Sequence, residues 1–130
     1  PVLTRSLLTL TTTNTYSLGR WYHVAITKDS AGVIRVFING VQDGTQTSSV
    51  AVGSGTTFVI NGVYDNNGLG SSGGTFYASN YRFVINQPVY TANFTPSTSP
   101  LTTTSQGATA SNVSLLTCQS STFIGVSMET

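Results

Sequence analysis

Residues 21–40 read Trp21-Tyr22-His23-Val24-Ala25-Ile26-Thr27-Lys28, then Asp29-Ser30-Ala31-Gly32, then Val33-Ile34-Arg35-Val36-Phe37-Ile38, closed by Asn39-Gly40. Successive side chains of a strand point to opposite faces, so a period of two marks one face. Tyr22, Val24 and Ile26 share a face of the first run, and Ile34, Val36 and Ile38 share a face of the second. Arg35 falls on the other face, between Val33 and Phe37. Asp first and Gly last suit a type I turn over residues 29–32. Asn39-Gly40 supplies the two positive-φ positions of a type I′ hairpin turn. The stretch is therefore expected to fold as an antiparallel β-meander.

Working outward, residues 44–56 are small and polar and predict a weak strand or a loop. Thr57-Phe58-Val59-Ile60 predicts a strand stopped by Asn61-Gly62. Residues 62–74 hold five glycines and predict a long loop, a kind that in compact domains is usually functional or mobile. Phe76 to Ile85 is the longest strand candidate, with Tyr77, Tyr81, Phe83 and Ile85 on one face, and Pro88 follows its end. Residues 88–101 predict an irregular segment pinned by Val89, Tyr90, Phe94 and Leu101. Residues 102–112 are low-complexity Thr, Ser, Ala and Gly, a loop or a linker. Val113 to Gln119 predicts a last strand. Some eight short strands at this spacing make an all-β chain, an antiparallel β-sandwich of jelly-roll type with essentially no helix. Its inward positions are expected to include Val24, Ile26, Val36, Ile38, Phe58, Ile60, Phe83 and Leu116.

Composition narrows the function. The chain has 130 residues, room for one domain. Only 7% of residues are charged, and Thr 22, Ser 17, Asn 9 and Gly 13 supply nearly half the chain. Five basic and four acidic residues leave a net charge of +1, and the basic ones are scattered. A nucleic-acid partner would want a basic patch. No apolar run approaches the ~20 residues of a membrane-spanning helix, so neither nucleic acid nor membrane is expected as a partner. Cys118 is the only cysteine, so no intrachain disulfide and no thiolate zinc site can form. Its place in Leu115-Leu116-Thr117-Cys118 suits a buried small apolar residue.

Gly19-Arg20-Trp21-Tyr22-His23-Val24-Ala25, then Asp29, then Arg35-Val36-Phe37-Ile38-Asn39-Gly40 resembles the central signature of laminin-G-like, concanavalin A-like jelly-roll modules. Gly74 to Arg82 is similar to the family's penultimate core strand. Val89-Tyr90-Thr91-Ala92-Asn93-Phe94-Thr95-Pro96 with Pro100-Leu101-Thr102 resembles a tail of laminin-G-like proteins in marine viruses and phages, and Leu115 to Ser120 the segment after it. The resemblance covers roughly residues 19–125. It implies one laminin-G-like jelly-roll domain over residues 1–130, short of some strands in its amino-terminal half, with residues 102–112 as a loop or linker. It also implies a surface setting, extracellular or on a virion. Calcium-binding members use acidic ligands on a rim, and this chain has four acidic residues in all. No cofactor is therefore expected, and calcium has little to bind it.

The chemistry-bearing residues are few. His23 lies mid-strand and reads as structural, since a catalytic base would need an orienting carboxylate and a nucleophile. Asp29 and Asp43 read as turn residues, and the paired acids of a glycosidase are not evident. No enzyme activity is expected. Trp21 is expected to pack on Phe37 across the hairpin. Tyr64, Asp65, Asn66 and Asn67 form the one constellation suited to binding, an aromatic face beside amide and carboxylate groups that could hold a sugar. A solvated Gly-rich loop is the competing reading. Two function classes follow: a structural surface module of a virus or phage, such as a capsid decoration or fibre subunit, and an extracellular carbohydrate-binding or adhesion module of a cellular protein. The expected partners are a second copy or a neighbouring structural subunit, meeting near Leu7-Leu8 or Leu115-Leu116, and a cell-surface glycan.

Overall fold

The computed structural model describes residues 12–49, 63–65, 68–70 and 77–119. Its largest sheet is the expected meander: β1 (Val24–Lys28), β2 (Val33–Ile38) and β3 (Val41–Thr47), antiparallel, with β2 in the centre. The type I turn closes with the Gly32 N–H donating to the Asp29 carbonyl at 3.0 Å. Asp29 rigidifies that turn further. Its Oδ1 accepts from the N–H of Ala31 and of Val33, and its Oδ2 pairs with Arg35 at 2.8 Å. Asn39 and Gly40 sit at φ 52° and 82°, the left-handed pair that a type I′ turn demands.

Register explains the burial. Val24 faces Ile38, and Ile26 faces Val36. Val36 is buried, Ile38 is half-buried, and Val24 and Ile26 are 59% and 66% exposed. The expectation that Val24 and Ile26 point inward is thus corrected. Alternation tells which side chains share a face, but among the described residues β1 lies at the edge of the sheet and β2 at its centre, and the shared face is covered unevenly. The other face carries the aromatic core. Phe37 is fully buried there, with ring centres 5.5 Å from Phe94 and 6.4 Å from Tyr90. Tyr90 and Phe94 stack at 3.6 Å, and His23 meets Phe94 edge-on at 5.4 Å.

The segment carrying these rings is irregular, as expected, and is fastened by main-chain bonds. The Phe94 N–H donates to the Gly40 carbonyl, the Gln42 N–H to Asn93 Oδ1, and the Thr27 hydroxyl to the Tyr90 carbonyl. Trp21 does not join the core. It precedes β1, is 70% exposed, and leaves the Phe37 face to Tyr90 and Phe94.

Two smaller antiparallel pairs complete the described residues. β4 (Val63–Asp65) pairs with β5 (Gly68–Gly70), so part of the expected long loop is a hairpin. β6 (Tyr81–Val84) pairs with β7 (Val113–Thr117). The strand expected from Phe76 is therefore shorter. Asn80 turns left-handed at φ 58°, and its Oδ1 accepts from the Leu101 N–H, which ends regular pairing there. Tyr77 is 84% exposed. Phe83 and Leu116 are half-buried, and Phe58 and Ile60 lie outside the described residues. Cys118 follows β7 at φ 60° and is exposed, not buried as its apolar neighbours suggested.

Residues 102–112 are a loop held against β6. Arg82 Nη1 donates to the carbonyls of Thr102 and Ser105, and Gln87 holds Gly107 and Thr109. Two single-turn 3-10 segments, Ser105–Gly107 and Ala110–Asn112, are the only helical pieces among the described residues.

Candidate functional site

The side chains that converge most closely do so at a β-bulge. Gln42 opposes Phe37 and Gly44 opposes Val36, so Asp43 is the extra residue of β3. A bulge bends the strand and re-aims a side chain. Here it turns Asp43 toward the segment before β1. Asp43 Oδ1 accepts from the Thr13 hydroxyl at 2.6 Å and from the Asn14 amide, and Oδ2 accepts from the Tyr16 hydroxyl at 2.6 Å. The Thr13 N–H and hydroxyl also bond the Asp43 carbonyl. Asp43 is buried, 5% exposed, yet no cation neutralises it among the described residues. Neutral donors stabilise the charge without cancelling it, a workable arrangement because hydrogen bonds to the charged form favour it. The Thr13 and Tyr16 hydroxyls hold the carboxyl below the usual aspartate value, against the opposing effect of burial. The same bond raises the Tyr16 phenol.

Thr13, Gln42, Asp43, Gly44 and Thr45 line an open depression of about 360 Å³ at this bulge. Its walls are hydroxyl, amide and main chain, with one ionised carboxylate. Tyr16 stands beside it, 39% exposed and edge-on to Tyr22 at 5.2 Å. Reading Asp43 as a turn residue overlooked this site. Thr13-Asn14 and Tyr16 lie about thirty residues upstream of Asp43, and only the bulge joins them. The sequence signal that could have flagged it was slight: an Asp inside an alternating run, where a strand disfavours it.

The other sequence candidates are dispersed. His23 Nδ1 is buried with no hydrogen-bond partner, and burial first, then Arg82, lower its pKa. Neither a carboxylate nor a hydroxyl is bonded to that nitrogen, so His23 serves the aromatic core. Asp29 and Asp43 lie at opposite ends of the meander, one at the β1–β2 turn and one beyond the β2–β3 turn. They do not form the pair that glycoside hydrolysis needs. Tyr64 and Asp65 lie on β4, opposite Leu69 and Gly68. Asn66 and Asn67 lie outside the described residues. Among the described residues no group of His, Cys, Asp and Glu could hold a metal ion, and no helix is long and apolar enough to cross a membrane.

A laminin-G model of the concanavalin A-like lectin/glucanases superfamily matches residues 4–78, more than half of the sequence. The chain belongs to this superfamily. The β-sandwich jelly roll read from the strand pattern is the fold of this concanavalin A-like module, and the antiparallel β1–β3 meander is part of it. The matched stretch contains both the Asp43 bulge and the segment from Thr13 to Tyr16 that clasps it. It stops short of the tail from Val89 to Leu101. Neither a curated protein nor a solved structure matches the chain. The superfamily's name spans lectins and glucanases, and a carbohydrate-binding or adhesion role fits this concanavalin A-like chain.

Proposed function

We propose that this concanavalin A-like chain is a non-enzymatic binding module that takes a glycan at the Asp43 depression. The observation that carries the reading is the bulge itself: a buried carboxylate held in place by Thr13, Asn14 and Tyr16, beside the side chains of Gln42 and Thr45. Such a floor needs no reorganisation when a ligand arrives, and a few convergent polar groups are what a small-ligand site requires. Tyr64, Asp65, Asn66 and Asn67 are a second proposed contact, on and beside the β4–β5 hairpin. No metal or other cofactor is needed for either contact. A glycan array probed with the folded chain tests the reading. Retention of defined oligosaccharides, weakened by Gln42→Ala, supports the depression, and weakening by Tyr64→Ala alone moves the site to the hairpin. No retention at all, or turnover of a polysaccharide, overturns the proposal.

The setting we propose is a virion or extracellular surface, with the module serving as a capsid decoration or fibre subunit. The resemblance of Val89 to Thr102 to the tail of virus and phage laminin-G-like proteins supports it, as does the low charge. Few ions need desolvation when such a surface meets a neighbouring subunit. Electron microscopy of the native assembly, with the chain labelled, tests this part. A label confined to a cellular surface would favour the adhesion module of a cellular protein instead.

A further inference from the structure

We infer that the depression at the β3 bulge selects uncharged, hydroxyl-rich glycans and rejects acidic ones, because its floor carries a negative charge that no cation among the described residues compensates. The inference rests on the glycan reading and narrows its ligand class.

The acceptors can be followed atom by atom. An ionised carboxylate has about four acceptor positions, two on each oxygen. Oδ1 of Asp43 receives two side-chain donors, from Thr13 and Asn14, and Oδ2 receives one, from Tyr16. The Asn14 main-chain N–H also holds the carboxyl, so its acceptor positions are taken and what it presents to a ligand is charge. The Thr45 hydroxyl donates its proton to the Ile34 carbonyl, and the Thr13 hydroxyl donates to Asp43. Each of these hydroxyl oxygens has spent its proton and keeps lone pairs. Two side-chain amides still have protons to give: that of Gln42, exposed and without a hydrogen bond among the described residues, and that of Asn14, which gives Asp43 one of its two. A partner must therefore bring uncharged groups that both donate and accept, as the hydroxyls of a neutral sugar do.

Charge decides between neutral and acidic sugars. Among the described residues the donors on Asp43 are all neutral, and no Lys, Arg or His bonds it. None of the described residues therefore compensates the field of the carboxylate at close range. A uronate or sulfate brought beside it would meet like charge in a partly desolvated place, and its own oxygens would face acceptors. The depression contrasts with Asp29, whose charge is paired with Arg35.

The test measures the folded chain against matched neutral and acidic oligosaccharides by titration calorimetry, with and without a calcium chelator. Neutral ligands are expected to bind and their uronate or sulfated counterparts to bind at least tenfold more weakly. Gln42→Ala, at an exposed position, should weaken neutral binding about three- to tenfold, the share of one hydrogen bond. Asp43→Asn should narrow the gap between neutral and acidic ligands, with circular dichroism confirming that both variants are folded. Should Asp43→Asn fail to fold, the Gln42→Ala loss and the wild-type preference decide alone. Equal or tighter binding of the acidic ligands overturns this inference and leaves the glycan reading standing. So does binding that the chelator abolishes, since a bound cation would reverse the sign of the floor. Binding of no glycan at all overturns both.

Discussion

Adding one methyl group at Gly40 should separate steric cost from conformational cost. Gly40 is buried at φ 82° and carries the carbonyl that receives the Phe94 N–H at 2.9 Å. A Cβ there would overlap the Phe94 carbonyl oxygen and stand 2.9 Å from Pro96 Cδ, so the aromatic segment must move. An L-residue in the left-handed region costs about 1–2 kcal/mol. Overpacking adds roughly 1–3 kcal/mol, and a weakened main-chain bond adds about 0.5–1.5 kcal/mol. The sum is about 3–6 kcal/mol, a large part of the ~5–15 kcal/mol that holds such a domain. Gly107 is the internal control. It has φ 77° and nothing within 4 Å of its would-be Cβ, so Gly107→Ala carries only the conformational cost. Urea unfolding followed by circular dichroism gives both values, and the entropy that alanine removes from the unfolded chain cancels in their difference. Gly40→Ala should exceed Gly107→Ala by at least about 1.5 kcal/mol, the low end of the overpacking and hydrogen-bond costs. Equal losses at the two positions would refute the idea that Phe94 is seated on the hairpin turn.

Further outcomes follow from the same contacts. Phe37→Ala empties the centre of the aromatic core and should cost about 3–5 kcal/mol in the same urea assay. Arg82→Gln should leave β6 and β7 paired but speed amide exchange across residues 102–109, read by mass spectrometry, because the guanidinium bonds to Thr102 and Ser105 are lost. Acid should weaken the fold in two stages. The unfolded His23 takes up a proton near pH 6.5, which burial and Arg82 resist in the folded chain. Stability is therefore whole above that pH, declines as pH falls from 6.5 through the lower folded value, and levels below it. Asp29 and Asp43 are lowered from 3.8, so a second decline begins near that pH and continues through their folded values. Melting temperatures from pH 8 to pH 2 should show both stages, and His23→Gln should remove the upper one.

The sequence by itself determined the elements whose causes are local. The period of two placed β1 and β2, Asp29 to Gly32 and Asn39-Gly40 specified their turns, and the aromatic spacing of Tyr90 and Phe94 marked a segment anchored to the core. These depend on neighbouring residues alone, through φ preferences and side-chain alternation. Tertiary structure decided the rest. How far each strand of the meander is covered depends on tertiary packing: residues 88–94 dock on the Phe37 face, and on the opposite face Ile34 and Val36 of the central strand are buried while Val24 and Ile26 of β1 are exposed. Alternation marks a shared face, but it carries no information on how evenly that face is covered. Of the long strand expected over residues 76–85 the structure forms Tyr81–Val84, because Asn80 turns left-handed and accepts a bond from Leu101 instead. The Asp43 site belongs to the same class. A carboxylate, a threonine, an asparagine and a tyrosine some thirty residues apart become one site only because a single extra residue in β3 turns the carboxylate toward the other three.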